Sequence, residues 1–178
     1  MPTLAWLVTE LQCTLFLQQK RSPVTHSLRI EVDQSGKMET SHYTVLAYSN
    51  GRRYAILIPA RVKREVIGQL RTHGLSRSLA AIRVFVAALW LLLHDVMEVA
   101  TEIQIDPEYV GHEADIKAGL LRLAWRHGRK IEANSIVFGS IGKRSGAHKR
   151  AIAVYRGGQA ADRVITTGDL QAVLRQQK

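Results

Sequence analysis

Polar and apolar residues alternate along two short stretches of the chain, and both stretches end in aspartate. In 28–33 (LRIEVD), Leu28, Ile30 and Val32 take one face and Arg29, Glu31 and Asp33 the other, with a turn at Ser35-Gly36. In 101–106 (TEIQID), Ile103 and Ile105 alternate with Glu102, Gln104 and Asp106 before Pro107. A period of two predicts strands at Leu28–Asp33 and Thr101–Asp106. Between them, Ser41–Tyr48 and Arg53–Ile58 read as a hairpin joined at Asn50-Gly51, so the first three strands form an antiparallel meander. Pro59 ends the third strand and opens a helix, Ala60–His73, closed by Gly74. The next helix, Ser78–Glu98, is apolar almost all round, which requires packing on several sides, by the domain core or by a second subunit. After the strand to Asp106, the helical spacing of Ile116, Leu120, Leu123 and Ala124 predicts a helix at His112–His127. Ser135–Gly139 is a short buried strand, the loop Ser140–Gly146 leads to a helix at Ala147–Arg156 with Ser145 as its N-cap, and Asp169–Gln176 forms a last short helix. Residues 2–19 are apolar and suit a helix or, around Cys13–Leu17, a strand.

Two parallel neighbouring strands with carboxylates at the same end would set Asp33 and Asp106 a few ångströms apart. Such a pair repels itself unless a cation lies between them. In open α/β sheets the active groups lie outside the carboxyl ends of the strands, where both residues fall.

Composition narrows the picture. The 178 residues suffice for one domain with a sizeable core. Cys13 is the only cysteine, which excludes intramolecular disulfides and cysteine-rich zinc sites. The first residues lack a basic n-region and carry Glu10, unlike a signal peptide, and the longest uncharged apolar run, Val84–Leu93, is far short of the ~20 residues of a membrane span. The expectation is a cytoplasmic protein with no membrane partner. The net charge is +10, and it is unevenly placed: residues 1–116 are neutral, whereas 117–156 carry ten Lys and Arg against Glu132 alone. That concentration points to a polyanion partner, with a solvated basic helix face as the plain alternative.

Counting 60–98 as one helical region, the predicted order is β-β-β, helix, β, helix, β, helix, with Asp closing the first and fourth strands. This order, together with IEVDQSGK (30–37) and IDPEYV (105–110), resembles the ribonuclease H-like superfamily of nucleases, integrases and resolvases. The resemblance implies an α/β fold with a mixed five-stranded sheet, three antiparallel strands then two parallel, flanked by helices. It covers residues 28–157, with an extra helix around 60–98, a helical or extended segment at 1–27 and a C-terminal extension at 158–178.

The resemblance also implies an acidic metal site. Asp33 matches the first-strand aspartate and Asp106 the fourth-strand aspartate; Glu65 is the candidate for the glutamate on the helix after the third strand, and His148 stands where the last helix offers Asp or His. Such a site would bind two Mg²⁺ or Mn²⁺ ions and hydrolyse nucleic-acid phosphodiesters. The spacing from Glu65 to Asp106 is longer than the family's, so one of the two intervening helices is extra; Glu31, Glu108, Glu113 and Asp115 lie near enough to substitute for a missing glutamate. Lys143, Arg144, Lys149 and Arg150, with Arg126 and Arg129, are the expected contacts to the phosphate backbone of RNA, DNA or a hybrid. Two other readings stay open: a catalytically silent relative that binds nucleic acid, and a homo-oligomeric interaction module seated on the apolar helix 78–98.

Overall fold

Residues 28–177 are described by a computed structural model of the chain; the helix or strand expected within residues 2–19 lies outside them. The alternation at the start of the domain becomes β1 (Arg29–Ser35), whose Ile30 and Val32 enter the main core. Glu31 and Asp33, one position out of phase, therefore face the opposite side of the sheet. β2 (Thr44–Ser49) and β3 (Arg53–Ile58) complete the antiparallel meander. β4 (Glu102–Ile105) lies parallel to β1, and β5 (Ile136–Phe138) parallel to β4.

The sheet has six strands rather than the expected five, in the order β5-β4-β1-β2-β3-β6. The additional strand, β6 (Arg163–Val164), pairs parallel to β3 through Ile56 and Leu57. Two residues are too few to show a period, so nothing in the sequence marks it. Backbone bonds from Asp162 N–H to the Ala55 carbonyl at 2.9 Å and from Ile165 N–H to the Leu57 carbonyl at 2.8 Å hold it, and a side chain adds to them: the Ala55 backbone N–H donates to the Asp162 carboxylate at 2.7 Å. The segment expected to extend beyond the domain thus contributes to its sheet, and Ile165, Leu170, Val173 and Leu174 contribute to its core.

Five helices flank the sheet: α1 (Ala60–Thr72), α2 (Arg77–Leu93), α3 (Glu113–Arg126), α4 (Gly146–Tyr155) and α5 (Thr167–Arg175). The apolar faces of α1, α2, α3 and α5 share one core with Ile30, Val32, Leu46, Ile56, Ile103 and Ile105 of the sheet. Twelve side chains of α2 are buried within this single chain, so the domain core accounts for its all-round apolar character. Truncating one of them, such as Leu89, would cost about 2–5 kcal/mol. α4 covers the other face alone, over a smaller core of Val45, Ala47, Ala55, Ala151 and Val154. It lies across β1, β2 and β3. No helix among the described residues is long and apolar enough to cross a membrane.

Candidate functional site

The β1–β4 ladder pairs Val32 with Ile105, and the Asp106 N–H donates to the Val32 carbonyl at 3.0 Å, extending the register by one residue. Asp33 and Asp106 therefore stand side by side, on strands whose spacing is about 4.8 Å. Alternation places both on the face that α4 covers in part. Asp33 is 5% exposed, and its Oδ2 accepts no hydrogen bond. Asp106 is less buried; its Oδ1 accepts from the Ile141 N–H at 3.1 Å, which ties the β5–α4 loop to the end of β4.

His148 comes to this pair because of how α4 is seated. Ser145 caps the helix, accepting from the Ala147 N–H at 3.1 Å, and its hydroxyl donates to Glu31 at 2.6 Å. Gly146 permits the close approach: a Cβ there would stand 2.9 Å from the Ser49 Cβ. With its first turn fixed over β1 and β2, α4 places His148 Nδ1 3.5 Å from Asp33 Oδ2.

Burial pushes the Asp33 carboxyl up to about 6; the nearby His148 pulls it down and the neighbouring Asp106 adds to the rise. Glu108 feels the same field: burial raises its carboxyl first, then repulsion from Asp106 and Asp33. Three carboxyl groups thus repel one another at the open end of β1 and β4. The other acids near them are engaged elsewhere: Glu31 with Ser145, Glu113 with the Gly111 N–H at 2.8 Å, and Asp115 with His112 at 3.3 Å.

The edge is braced from the β1–β2 connection. The Tyr109 hydroxyl accepts from the Met38 N–H at 3.1 Å and lies 3.2 Å from Glu39 Oε2. Lys63 of α1 is 1% exposed, and its ammonium donates to the Lys37 carbonyl at 2.7 Å and to Thr44 Oγ1 at 2.8 Å. Sequence reasoning missed Lys63. Its signal was present, since it stands three and four positions before Val66 and Ile67 on the buried stripe of α1.

Glu65 does not join the cluster. Its carboxylate accepts from the Thr167 hydroxyl at 2.9 Å, at the start of α5. α1 packs on the core face of the sheet, whereas Asp33 faces α4, and β2 and β3 lie between β1 and the β6 edge that leads into α5. α2 offers no replacement, having no acidic residue in its first turn.

The donors present suit a hard divalent cation in kind, being carboxylate oxygens with one imidazole. The Asp33 oxygen, buried with no hydrogen bond closer than the 3.5 Å His148 contact, is the observation that favours one. In number they fall short: among the described residues, no group of three or more His, Cys, Asp or Glu side chains is gathered so that it could hold a metal ion.

The six expected nucleic-acid contacts divide into two sets. Lys143, Arg144 and Lys149 are exposed beside His148 and have no ion-pair or hydrogen-bond partner among the described residues. Arg150 points the other way, donating to the Ala160 carbonyl at 2.9 Å and to Asp162 at 2.8 Å, and it also bonds Gln159. Arg126 bonds the Gln176 carbonyl, and Arg129 pairs with Glu98 at 2.9 Å. Arg126 ends α3, a helix of 14 residues, about 20 Å long, that starts near the acidic edge, and Arg129 follows just beyond it. These three arginines hold the fold together, and the other three cations border the acidic pair.

Comparison of the chain with protein-family models, with curated proteins and with solved structures gave no match.

Proposed function

We propose that the chain is a metal-dependent nuclease of ribonuclease H-like fold, hydrolysing nucleic-acid phosphodiesters at Asp33, Asp106 and His148. The observation that carries this reading is the Asp33–Asp106 pair on parallel neighbouring strands, with His148 Nδ1 3.5 Å from the buried Asp33 Oδ2. The fold reading is supported by the meander β1-β2-β3 continued by parallel β4 and β5, in the order 3-2-1-4-5 within the larger sheet.

In this reading Asp33, Asp106 and His148 would hold Mg²⁺ or Mn²⁺, with Glu108 taking the place expected of Glu65. A bound ion would supply a water of lowered pKa and positive charge for phosphodiester hydrolysis. Hydrolysis would join the water oxygen to phosphorus, break the phosphorus–oxygen bond to the leaving group, and pass the proton lost by the water to the leaving oxygen. Lys143, Arg144 and Lys149 bind flanking phosphates and orient the strand over the carboxylates, giving affinity without base readout.

One observation favours a second reading, a silent relative that binds nucleic acid without cleaving it: three metal-holding side chains are not gathered among the described residues. A panel of labelled hybrid, duplex, single-stranded and four-way-junction substrates, with Mg²⁺, Mn²⁺ or chelator, separates the two. Metal-dependent cleavage that is abolished by Asp33→Asn and by Asp106→Asn is the expected result. Glu108→Gln should lower it and Glu65→Gln should leave it unchanged. Salt-sensitive binding with no cleavage under either metal would establish the silent reading instead.

A further inference from the structure

Beyond the acidic edge, the β1–β2 connection passes over α1 and the start of α2, and the three together enclose a recess of about 290 Å³. Three guanidinium groups line it. Arg64 and Arg71 lie two turns apart on one face of α1, and Arg77 is the first residue of α2. Among the described residues, Glu39 is the only acidic one lining the recess, and its carboxylate is shared with the Tyr109 hydroxyl. None of the three arginines forms an ion pair among the described residues. Arg77 donates to the Glu39 carbonyl at 2.8 Å, which fixes the guanidinium and leaves its charge uncompensated.

The position of Arg77 sharpens the point. It stands at the positive end of a 17-residue helix that has no acidic residue in its first turn. That is where an anion is favoured and a cation is not. Two further arginines converge on the same space, so the recess holds three positive charges and a helix N-terminus against one carboxylate. An anion with several oxygens satisfies all of these groups together, and guanidinium matches phosphate in geometry.

We propose that Arg64, Arg71 and Arg77 form a pocket for a backbone phosphate of the nucleic-acid strand that enters the acidic site over the ends of β1 and β4. The proposal rests on the nucleic-acid reading above and adds a contact that the basic stretch 117–156 does not contain. Chain geometry connects the two places. Glu39 follows Asp33 by six residues, a reach of at most about 20 Å, and Tyr109, three residues after Asp106, bonds the same connection. The pocket is therefore within a few nucleotides of Asp33. A strand would be held on one side of the carboxylates by Lys143, Arg144 and Lys149, and on the other by the three arginines.

Binding of labelled duplex and single-stranded oligonucleotides is measured by anisotropy across a salt series, in chelator so that cleavage does not intervene. The variants are Arg64→Ala/Arg71→Ala, the same pair with Arg77→Ala, and Lys143→Ala/Arg144→Ala/Lys149→Ala. Arg64 and Arg71 are exposed and have no partner among the described residues, so the double variant carries the test if loss of Arg77 disturbs folding. The expected result is a slope of log affinity against log salt shallower by about one to two units in the arginine variants, with a further independent loss when the lysine-containing rim is also changed. If the wild type binds and the arginine variants keep its slope and affinity, the pocket proposal is overturned and the nuclease reading survives. If the wild type binds no nucleic acid, both fall. A titration with inorganic phosphate alone closes the remaining route: arginine-dependent phosphate binding with unchanged oligonucleotide binding would make this a small-anion site and overturn the strand contact.

Discussion

Asp33→Asn should make the metal-free protein more stable, and the gain should depend on pH. The folded chain holds the Asp33 proton more tightly than the unfolded chain, because the carboxyl is raised from 3.8 to about 6, first by burial. The raised group favours folding fully below about pH 3.8. That advantage is lost as pH rises through about 6, and above it the buried charge is a constant cost. A rise of that size corresponds to about 3 kcal/mol. The asparagine carries no charge to desolvate and does not repel Asp106 or Glu108. At pH 8 in chelator it should therefore exceed the wild type by up to about 3 kcal/mol, or roughly 6–12 °C in Tm for a domain of this size. At pH 4 the two proteins should unfold together. Thermal unfolding followed by circular dichroism at both pH values is sufficient. A variant no more stable than the wild type at pH 8, or equally favoured at pH 4, would refute the reasoning, since neither burial nor repulsion would then be acting on Asp33. Manganese adds a second axis. A cation bound by the carboxylates at a hundred times its Kd stabilises the wild type by about 2.7 kcal/mol, which would close most of the gap, and it should leave Asp33→Asn unmoved.

Lys63 should give the opposite pH dependence in its own range. Burial lowers its ammonium to about 8, so the unfolded chain binds the extra proton and wild-type stability should rise as pH climbs above 8, a rise absent from Lys63→Met in thermal unfolding. Arg150→Ala should lower stability by about 1–3 kcal/mol in denaturant unfolding while leaving nucleic-acid affinity unchanged, because its guanidinium is committed to Asp162 and the Ala160 carbonyl.

The parts of the fold that were legible in the sequence are those where one face is apolar and enters the main core and the other carries polar side chains. β1 and β4 show clean alternation because only their Ile30, Val32, Ile103 and Ile105 faces enter the main core, and the same alternation fixes which way Asp33 and Asp106 point. Ser145 as the cap of α4 was readable from residue type and position, and that cap sets His148 over Asp33. Periodicity could not say what covers α2, since a core helix and a subunit interface look alike; the covering is by α1, α3, α5 and the sheet. Position along a helix could not place Glu65 either. Its face of α1 meets α5, an element whose docking depends on Asp162 and a two-residue strand. Charge counting failed for a related reason. It cannot separate an available cation from one held by a distant acid, and the partner of Arg129 lies 31 residues away. Arg64, Arg71 and Arg77 were hidden by the same arithmetic, because the first 116 residues balance overall while these three gather locally.

The distribution of available charge has a consequence for how a polyanion would approach. Lys143, Arg144 and Lys149 border the acidic pair on the α4 side, and Arg64, Arg71 and Arg77 lie beyond its edge toward α1, so positive charge flanks a negative centre. Without a cation, the carboxyls of Asp33, Asp106 and Glu108 repel phosphate, and binding would come from the cations around them, the two flanks included. A bound divalent ion reverses the sign at the centre alone. In the proposed nuclease, the metal should therefore add affinity that depends on Asp33 and Asp106, while the flanks set the salt dependence in either state. A silent binder of the same shape has only its fixed cations, and its affinity should be indifferent to Mn²⁺. The two functional readings thus differ in binding as well as in cleavage, and the difference lies in whether the centre of the surface can change sign.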